Sequence, residues 1–219
     1  MAETYDCSES SQLLSGMRTA RHALGRGELA VMPTDTVYGV AADAFTPAAV
    51  QRLLDAKGRG RTSPPPVLIP NTATLAALAA EVTAPMQALA EEFWPGGLTI
   101  IARANPSLSW DLGETGGTVA LRIPDHAIAL ELLQETGPLA VSSANITGEA
   151  PSTTASDAER MLGEQVAVIL DAGEVGGTPS TIVDATGTTE EGGVIRILRA
   201  GAVSREALEA LLPQVTFED

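Results

Sequence analysis

The sequence predicts a single α/β domain built on a twisted, open, mixed sheet. Three observations carry that class. Short apolar runs alternate with segments whose apolar residues fall at helical spacing, from Ser10 almost to the end of the chain. No composition break or linker divides the 219 residues, a length that suits one large domain. Hydrophobic residues make up 44% of the chain and aromatics only 3%, so a core is available and must be built from Ala, Leu, Val and Ile.

Residues 1–9 are polar and read as a flexible N-terminus, residues 10–213 as the domain and residues 214–219 as a C-terminal tail. From Ser10 to about Leu24 the positions Leu13, Leu14, Met17, Ala20 and Leu24 share a helical face, and Gly25 and Gly27 end that helix. Glu28 to Met32 reads as a short strand and Val37 to Ala42 as a second extended run. Thr46-Pro47 starts a helix, with Thr as cap and Pro at the first helical position. Val50, Leu53 and Leu54 mark its buried face and Gly58 stops it. Pro64-Pro65-Pro66 blocks a helix and leads into the strand Val67-Leu68-Ile69. Residues 72–80 and 85–93 are two Ala-rich helices, the second broken at Trp94-Pro95-Gly96-Gly97.

Leu98 to Ala102 is an unbroken apolar run, the pattern of a buried strand. Residues 104–117 form a loop, Val119 to Ile123 a strand, and a helix follows Pro124 to about Glu135. Leu139 to Val141 is a strand with Ser142-Ser-Ala-Asn145 at its carboxyl end. Ser156 caps a short helix. Val166 to Leu170, Ser180 to Asp184 and Val194 to Leu198 are strands, and Ser204 begins a last helix that ends near Pro213. Two Gly-rich loops echo each other, Asp111 to Thr118 and Asp171 to Thr178. Shared turn chemistry accounts for them better than a duplication.

The net charge of -15 excludes several classes of function. Such a surface repels nucleic acid at long range, and the few aromatics leave little to stack bases on, so direct tRNA binding is not expected. One cysteine, Cys7, forbids an internal disulfide, and two histidines far apart, His22 and His126, do not make a zinc site. The N-terminus carries no signal-peptide pattern. No apolar run reaches the roughly 20 residues of a membrane span, and the chain reads as cytoplasmic. The phosphate loop Gly-x-x-x-x-Gly-Lys-Ser/Thr, the dinucleotide fingerprint and the Gly-x-Ser-x-Gly elbow are all missing. His126 follows Pro124-Asp125, where its place is a helix cap.

What remains is a set of polar clusters at strand ends, rich in hydroxyls, with an amide and several cations. Lys57 stands out as the only lysine among 13 basic residues, beside Gly58 and Arg59. Lysine is a compact ammonium on a flexible stem and arginine a wide planar fork, so a site shaped for a point charge can tell them apart. Lysine before a glycine also suits a helix C-terminus, and both roles can coexist. Cations and hydroxyls suit a polyanion together with a small polar molecule.

The order and spacing of these clusters resemble the YrdC/TsaC family of threonylcarbamoyl-AMP synthases. The matching stretches are Pro33-Thr-Asp-Thr-Val-Tyr-Gly39, Ala56-Lys-Gly-Arg59, Phe93-Trp-Pro-Gly-Gly-Leu-Thr99, Leu121-Arg-Ile-Pro124, Ser142-Ser-Ala-Asn145-Ile-Thr-Gly148 and Pro179-Ser-Thr-Ile-Val-Asp184. Six in order, from about residue 10 to 200, are far more specific than any one, and the chain resembles the short form without the extra C-terminal domain.

The resemblance implies a YrdC-like fold with a large concave, positively lined cavity. It implies a reaction joining L-threonine, bicarbonate or CO2, and ATP into threonylcarbamoyl-adenylate with release of pyrophosphate, Mg2+ accompanying ATP. The product would pass to downstream tRNA threonylcarbamoyl-transfer proteins. By similarity, Lys57 and Arg59 are the catalytic cations facing the triphosphate, with Ser63 nearby. Thr36, Arg122, Ser143 and either Ser180 or Thr181 hold threonine, Arg122 through its carboxylate. Thr118, Asn145, Thr153 and Arg196 contact the nucleotide. One departure stands out: many members carry His on the threonine side of the strand after the prolines, and here that place is Leu68. A non-catalytic RNA-binding module of the same fold is the alternative, opposed by the charge and the scarcity of rings. A carbamoyl transfer like that of hydrogenase-maturation carbamoyltransferases would need cysteine clusters and a carbamoyl-phosphate domain that this sequence lacks.

Overall fold

Side-chain alternation along the strands decides where the helices lie, and one stretch of sheet is left without any. The computed structural model describes residues 2–219. Their strands are β1 (Glu3–Asp6), β2 (Ala30–Met32), β3 (Gly39–Asp43), β4 (Val67–Leu68), β5 (Leu98–Arg103), β6 (Thr118–Arg122), β7 (Leu139–Ser143), β8 (Val168–Asp171), β9 (Thr181–Thr189), β10 (Gly192–Arg199) and β11 (Val215–Glu218). The helices are α1 (Ser10–Gly25), α2 (Pro47–Ala56), α3 (Thr72–Leu78), α4 (Ala84–Phe93), α5 (Ala127–Thr136), α6 (Ala155–Leu162) and α7 (Arg205–Leu211). All eleven strands join one open sheet in the order β1-β8-β2-β3-β7-β4-β6-β5-β9-β10-β11. It is mixed: β2 and β3 pair antiparallel, β4 and β6 parallel, β5 and β9 parallel.

One face of the sheet is covered along most of its length. Val31, Val40 and Ile169 point to α2 and α6, where they meet Leu53, Ala158 and Leu162. Ile100, Leu121 and Val183 point the same way in the other half and meet Leu75, Leu89 and Leu208 of α3, α4 and α7. The opposite face is covered over only one half. There Met17, Ala20 and Leu24 of α1 and Leu132 and Leu133 of α5 pack on Met32, Ala41, Leu139 and Leu170. Each such leucine, fully buried, contributes about 1.5–3 kcal/mol. Beyond β7 no helix continues on that face, and β4, β6, β5 and β9 floor a cavity.

Several expectations are corrected. The N-terminus expected to be flexible forms β1, paired parallel with β8 from Glu3 against Val168 to Asp6 against Asp171. The residues expected as a tail form β11, paired parallel with β10. Both are four-residue edge strands, β1 polar and β11 an alternation of Val215 and Phe217 with Thr216 and Glu218, and neither has the apolar run that marks a buried one. The strand expected at Ser180 to Asp184 runs on to Thr189 and turns into β10 as a hairpin. Thr154, not Ser156, caps α6, its hydroxyl accepting from the Asp157 amide. Thr46 sits at the cap of α2 as expected, but its hydroxyl donates to Asp43 Oδ2 at 2.8 Å instead of capping. The two echoing loops share an Asp-x-Gly turn. Asp111 Oδ1 accepts from Gly113 N at 3.0 Å, and Asp171 Oδ1 from Gly173 N at 2.9 Å.

Candidate active site

The cavity of about 340 Å³ falls within the range of small-molecule sites. Its floor is apolar: Leu68 on β4, Ile101 on β5, Ala120 on β6, Val141 on β7 and Ile182 on β9. Pro64, Pro65 and Pro66 form one wall, and Leu112 and Thr115 of the 104–117 loop another. These walls are fastened together, since Arg61 pairs with Asp111 at 2.6 Å and the Arg61 carbonyl accepts from Glu114 N at 2.8 Å. Polar groups reach the cavity from the strand ends. Thr34 and Thr36 come from the turn between β2 and β3, Thr99 from β5, Ser142 and Ser143 from β7, and Ser180 from the start of β9.

Arg122 ends β6 with its guanidinium held by three hydrogen bonds, which leaves two of its five N–H donors uncommitted. It donates from Nη2 to Asp35 Oδ1 at 2.5 Å, from Nη1 to Thr36 Oγ1 at 2.9 Å and from Nε to the Gly96 carbonyl at 2.8 Å. The residue is only 6% exposed. Burial pulls its affinity for the proton down, and Asp35 opposes that shift. A guanidinium fixed on three sides is a rigid cationic platform facing the cavity.

Two further guanidiniums line the cavity without an acidic partner in ion-pair range among the described residues. Arg59 donates to Ser142 Oγ at 3.3 Å. Arg199 donates from Nε and Nη2 to the Ser180 carbonyl at 3.0 and 2.7 Å, and from Nη2 to Ser180 Oγ at 3.0 Å. Burial lowers the proton affinity of Arg199 and the charge of Arg59 lowers it further, and Arg122 in turn feels Arg199. Three cations in mutual repulsion around one cavity favour a multiply charged anion between them.

Six of the residues named from the sequence line the cavity: Thr36, Arg59, Thr118, Arg122, Ser143 and Ser180, with Leu68 beside them. Others do not. Lys57 is fully buried, and its ammonium donates to the Ser143 carbonyl, to the Asn145 carbonyl at 2.6 Å and to Asn145 Oδ1 at 3.3 Å. It stands behind the β7 end, not in the cavity. Burial and the nearby Arg59 pull its pKa down to about 8. Asn145 turns away as well, its amide donating to the Ile146 and Glu149 carbonyls. Between Ser180 and Thr181 the strand's alternation decides. Ser180 faces the cavity, while the Thr181 hydroxyl donates to the Val203 carbonyl at 2.6 Å. Ser63 and Thr153 lie off the cavity wall, Thr153 offering its carbonyl to Val175 N.

Arg196 is the clearest displacement. It is exposed on β10 between Glu218, at 3.6 Å, and Asp184, at 4.0 Å. Arg199, three residues on, takes the place in the cavity expected of it. The cause is a β-bulge: Ile197 pairs with Val183 but Arg199 with Ile182, so Leu198 is an extra residue and the end of the strand is re-aimed. Leu198 and Arg199 consequently both line the cavity, which strict alternation forbids. The sequence analysis missed Arg199, Thr34, Thr99 and Ser142. Thr34, Thr99 and Ser142 lie inside the quoted motifs, whereas nothing in the alternation of residues 194–198 signals the bulge. His126 occupies the cap position of α5 but makes no capping bond. Its Nδ1 is buried without a partner among the described residues, and burial holds its pKa below the usual histidine value.

A half-covered sheet face, floored by apolar side chains and rimmed with three guanidiniums and a ring of hydroxyls, defines an α/β protein with a cavity whose chemistry suits an anionic and a small polar group side by side. Comparison with known proteins gives the family. Residues 22–201 match the Sua5/YciO/YrdC family, described as "Telomere recombination", and the chain belongs to that family. A Mycobacterium tuberculosis protein provisionally named threonylcarbamoyl-AMP synthase is 48% identical over 216 residues, covering 97% of this chain and 96% of its own. The Bacillus subtilis threonylcarbamoyl-AMP synthase is 35% identical over 192 residues, 86% of this chain and 54% of its own. The crystal structure of P. abyssi Sua5 complexed with L-threonine superposes with a TM-score of 0.85 at 31% identity, covering all of this chain and 62% of that one.

Proposed function

We propose that this protein is an L-threonylcarbamoyladenylate synthase. It makes threonylcarbamoyl-AMP and pyrophosphate from L-threonine, bicarbonate or CO2, and ATP, for threonylcarbamoyl-adenosine modification of tRNA. The observation that carries the reading is the convergence of Arg59, Arg122 and Arg199 on one cavity whose other polar lining is hydroxyl. The near full-length relatives named for this activity support it.

The chemistry asks for positioning and charge stabilisation more than for acid-base groups. Condensation of the threonine amine with bicarbonate gives a carbamate and water. A carbamate oxygen then attacks the α-phosphorus of ATP, the bond from that phosphorus to the β-bridging oxygen breaks, and pyrophosphate leaves. Arg122, held by Asp35, Thr36 and Gly96, is placed to receive the amino-acid carboxylate. Arg59 and Arg199 are placed to hold the phosphates and the negative charge that builds on them, with Ser142 and Ser180 fixing the two forks. Apolar Leu68, Val141 and Ala120 exclude water from the carbamate.

Mg2+ enters with ATP in this proposal, where it would neutralise phosphate charge. Among the described residues no group of three or more His, Cys, Asp or Glu could cage a metal, and Asp35 beside the cavity is engaged by Arg122. That donor set fits an ion carried chiefly by the phosphates and water. Among the described residues no helix is long and apolar enough to cross a membrane.

The test is pyrophosphate release from ATP and bicarbonate with Mg2+, with and without L-threonine. Release that requires threonine is expected. Release indifferent to threonine would mean another acceptor, and salt-dependent RNA binding without turnover would mean a binding module.

A further inference from the structure

Tyr38 is fully buried, belongs to the core cluster under α2 and α6, and also lies on the cavity lining. Its hydroxyl donates to the Gly173 carbonyl at 2.6 Å and accepts from Ala172 N at 3.0 Å. It thereby grips the first residues of the segment 172–179, which leaves β8 and runs over the turn carrying Asp35 and Thr36. Further along, Val175 N donates to the Thr153 carbonyl at 2.9 Å and Gly177 N to the Thr36 carbonyl at 2.6 Å. At Gly176 the segment lies so close that a Cβ there would stand 2.7 Å from the Asp35 carbonyl oxygen. The segment then delivers Pro179 and Ser180 to the cavity wall.

The two residues pressed from outside by this segment are two of the three that hold Arg122 from inside, Asp35 through its carboxylate and Thr36 through its hydroxyl. The same segment sets Ser180, which receives the Arg199 fork. We infer that Tyr38 is a positioning residue. Through its hydroxyl it fixes the 172–179 strap, and the strap fixes the Asp35–Thr36 turn and with it the Arg122 guanidinium that receives the amino-acid substrate. Tyr38 touches no substrate through that hydroxyl. Its backbone belongs to the same turn, donating to the Ser152 carbonyl at 2.9 Å and accepting from Ala144 N at 2.7 Å, so both ends of one residue brace the site. This inference rests on the reading that the Arg122 side of the cavity takes threonine.

Two variants reach the strap from different places. Tyr38→Phe keeps the ring in its core and removes the grip. Gly176→Ala leaves Tyr38 intact and pushes the strap off Asp35. Both are to be compared with the wild type by hydrogen–deuterium exchange of residues 172–178 without substrates, and by pyrophosphate release with threonine and ATP varied separately. Exchange is expected to quicken by roughly tenfold in both, and the threonine KM to rise by roughly tenfold, about the worth of one buried hydrogen bond. The ATP KM should stay within about twofold, because Ser180, which receives the Arg199 fork, keeps anchors outside the strap: its hydroxyl is paired with Thr99 Oγ1 at 2.8 Å, and the next residue, Thr181, donates its N–H to the Gly97 carbonyl at 2.9 Å. A merely structural tyrosine would lower melting temperature and raise both KM values together, and that result overturns the proposal. Faster exchange with an unchanged threonine KM, or unchanged exchange in Tyr38→Phe, also overturns it while leaving the assigned reaction standing. A wild type whose pyrophosphate release ignores threonine overturns the assigned reaction, and with it the substrate named here.

Discussion

The ammonium of Lys57 lies 2.6 Å from the carbonyl oxygen of Asn145, with the Ser143 carbonyl as a second partner, so the only lysine of the chain pins the end of β7 from behind. Three donors meet three acceptors, counting Asn145 Oδ1. The preference for a point charge over a fork, legible in the sequence, is satisfied by backbone carbonyls.

Lys57→Arg keeps the charge but cannot place a planar fork on acceptors arranged for an ammonium. The variant is expected to lose about 2–4 kcal/mol of stability, from charge-assisted bonds broken in a buried place. Pyrophosphate release should fall because Ser142 and Ser143 lose their support. Urea unfolding beside the activity assay checks both. A fully stable variant with lost activity would instead place the ammonium on the substrate.

The same lysine sets a pH dependence. Its folded pKa, about 8, lies below the ordinary lysine value of 10.5. Between these two values the unfolded chain binds more protons at this site than the folded one, so its contribution to stability rises with pH across that window. Below about pH 8 both states are protonated and the contribution is flat. Unfolding free energy followed from pH 7 to 10.5 should therefore climb in the wild type relative to Lys57→Met. The difference cancels other groups, such as Cys7, which burial and neighbouring acids push up to about 11.

Arg199 and Arg196 are separated by a bulge, and their variants should behave as differently as their places. Arg199→Ala is expected to lower kcat/KM for ATP by roughly 100- to 1000-fold, the range for loss of one positioned donor. Arg196→Ala should leave it within about twofold, since exposed ion pairs contribute little. Parallel ATP titrations of the two variants check this, and equal losses would return the nucleotide to Arg196.

Asp35→Asn leaves the buried Arg122 without its charge partner. A loss of about 3–5 kcal/mol of stability is expected, as for breaking a buried pair from one side. The threonine KM should rise more than the ATP KM. Thermal unfolding and separate substrate titrations distinguish this from a loss confined to folding.

The Arg61–Asp111 pair that joins the two cavity walls is nearly half exposed at both ends. Asp111→Ala should lose less than about 1 kcal/mol from the pair, and that part should vanish at high salt while the cost of the lost Gly113 N–H bond remains. Denaturant curves at two salt concentrations measure it.

How much was legible from the sequence follows from what each residue does physically. Apolar runs such as Leu98 to Ala102 and Leu139 to Val141 declared buried strands, because burial on both faces leaves a hydrophobic signature. Glu3–Asp6 left none, and the single alternation of Val215 and Phe217 in Val215–Glu218 is too short to mark a strand, because edge strands are stabilised by pairing to a neighbour that sequence spacing does not reveal. Thr36, Arg59, Arg122 and Ser143 were legible because motif order fixes residue types. The direction of the Lys57 side chain, the bulge at Leu198 and the turn of Asn145 depend on backbone path, which residue type does not encode.

Both borders of the sheet are short strands with acids on them, Glu3 and Asp6 at one end and Glu218 at the other. An open eleven-stranded sheet offers two rows of unsatisfied amides and carbonyls to any passing copy. Here a copy approaching edge to edge meets carboxylates of its own sign, set on a chain of net charge -15. Read this way, the acidity is a guard on the fold's exposed seams, strongest in dilute buffer and progressively disarmed as salt screens it.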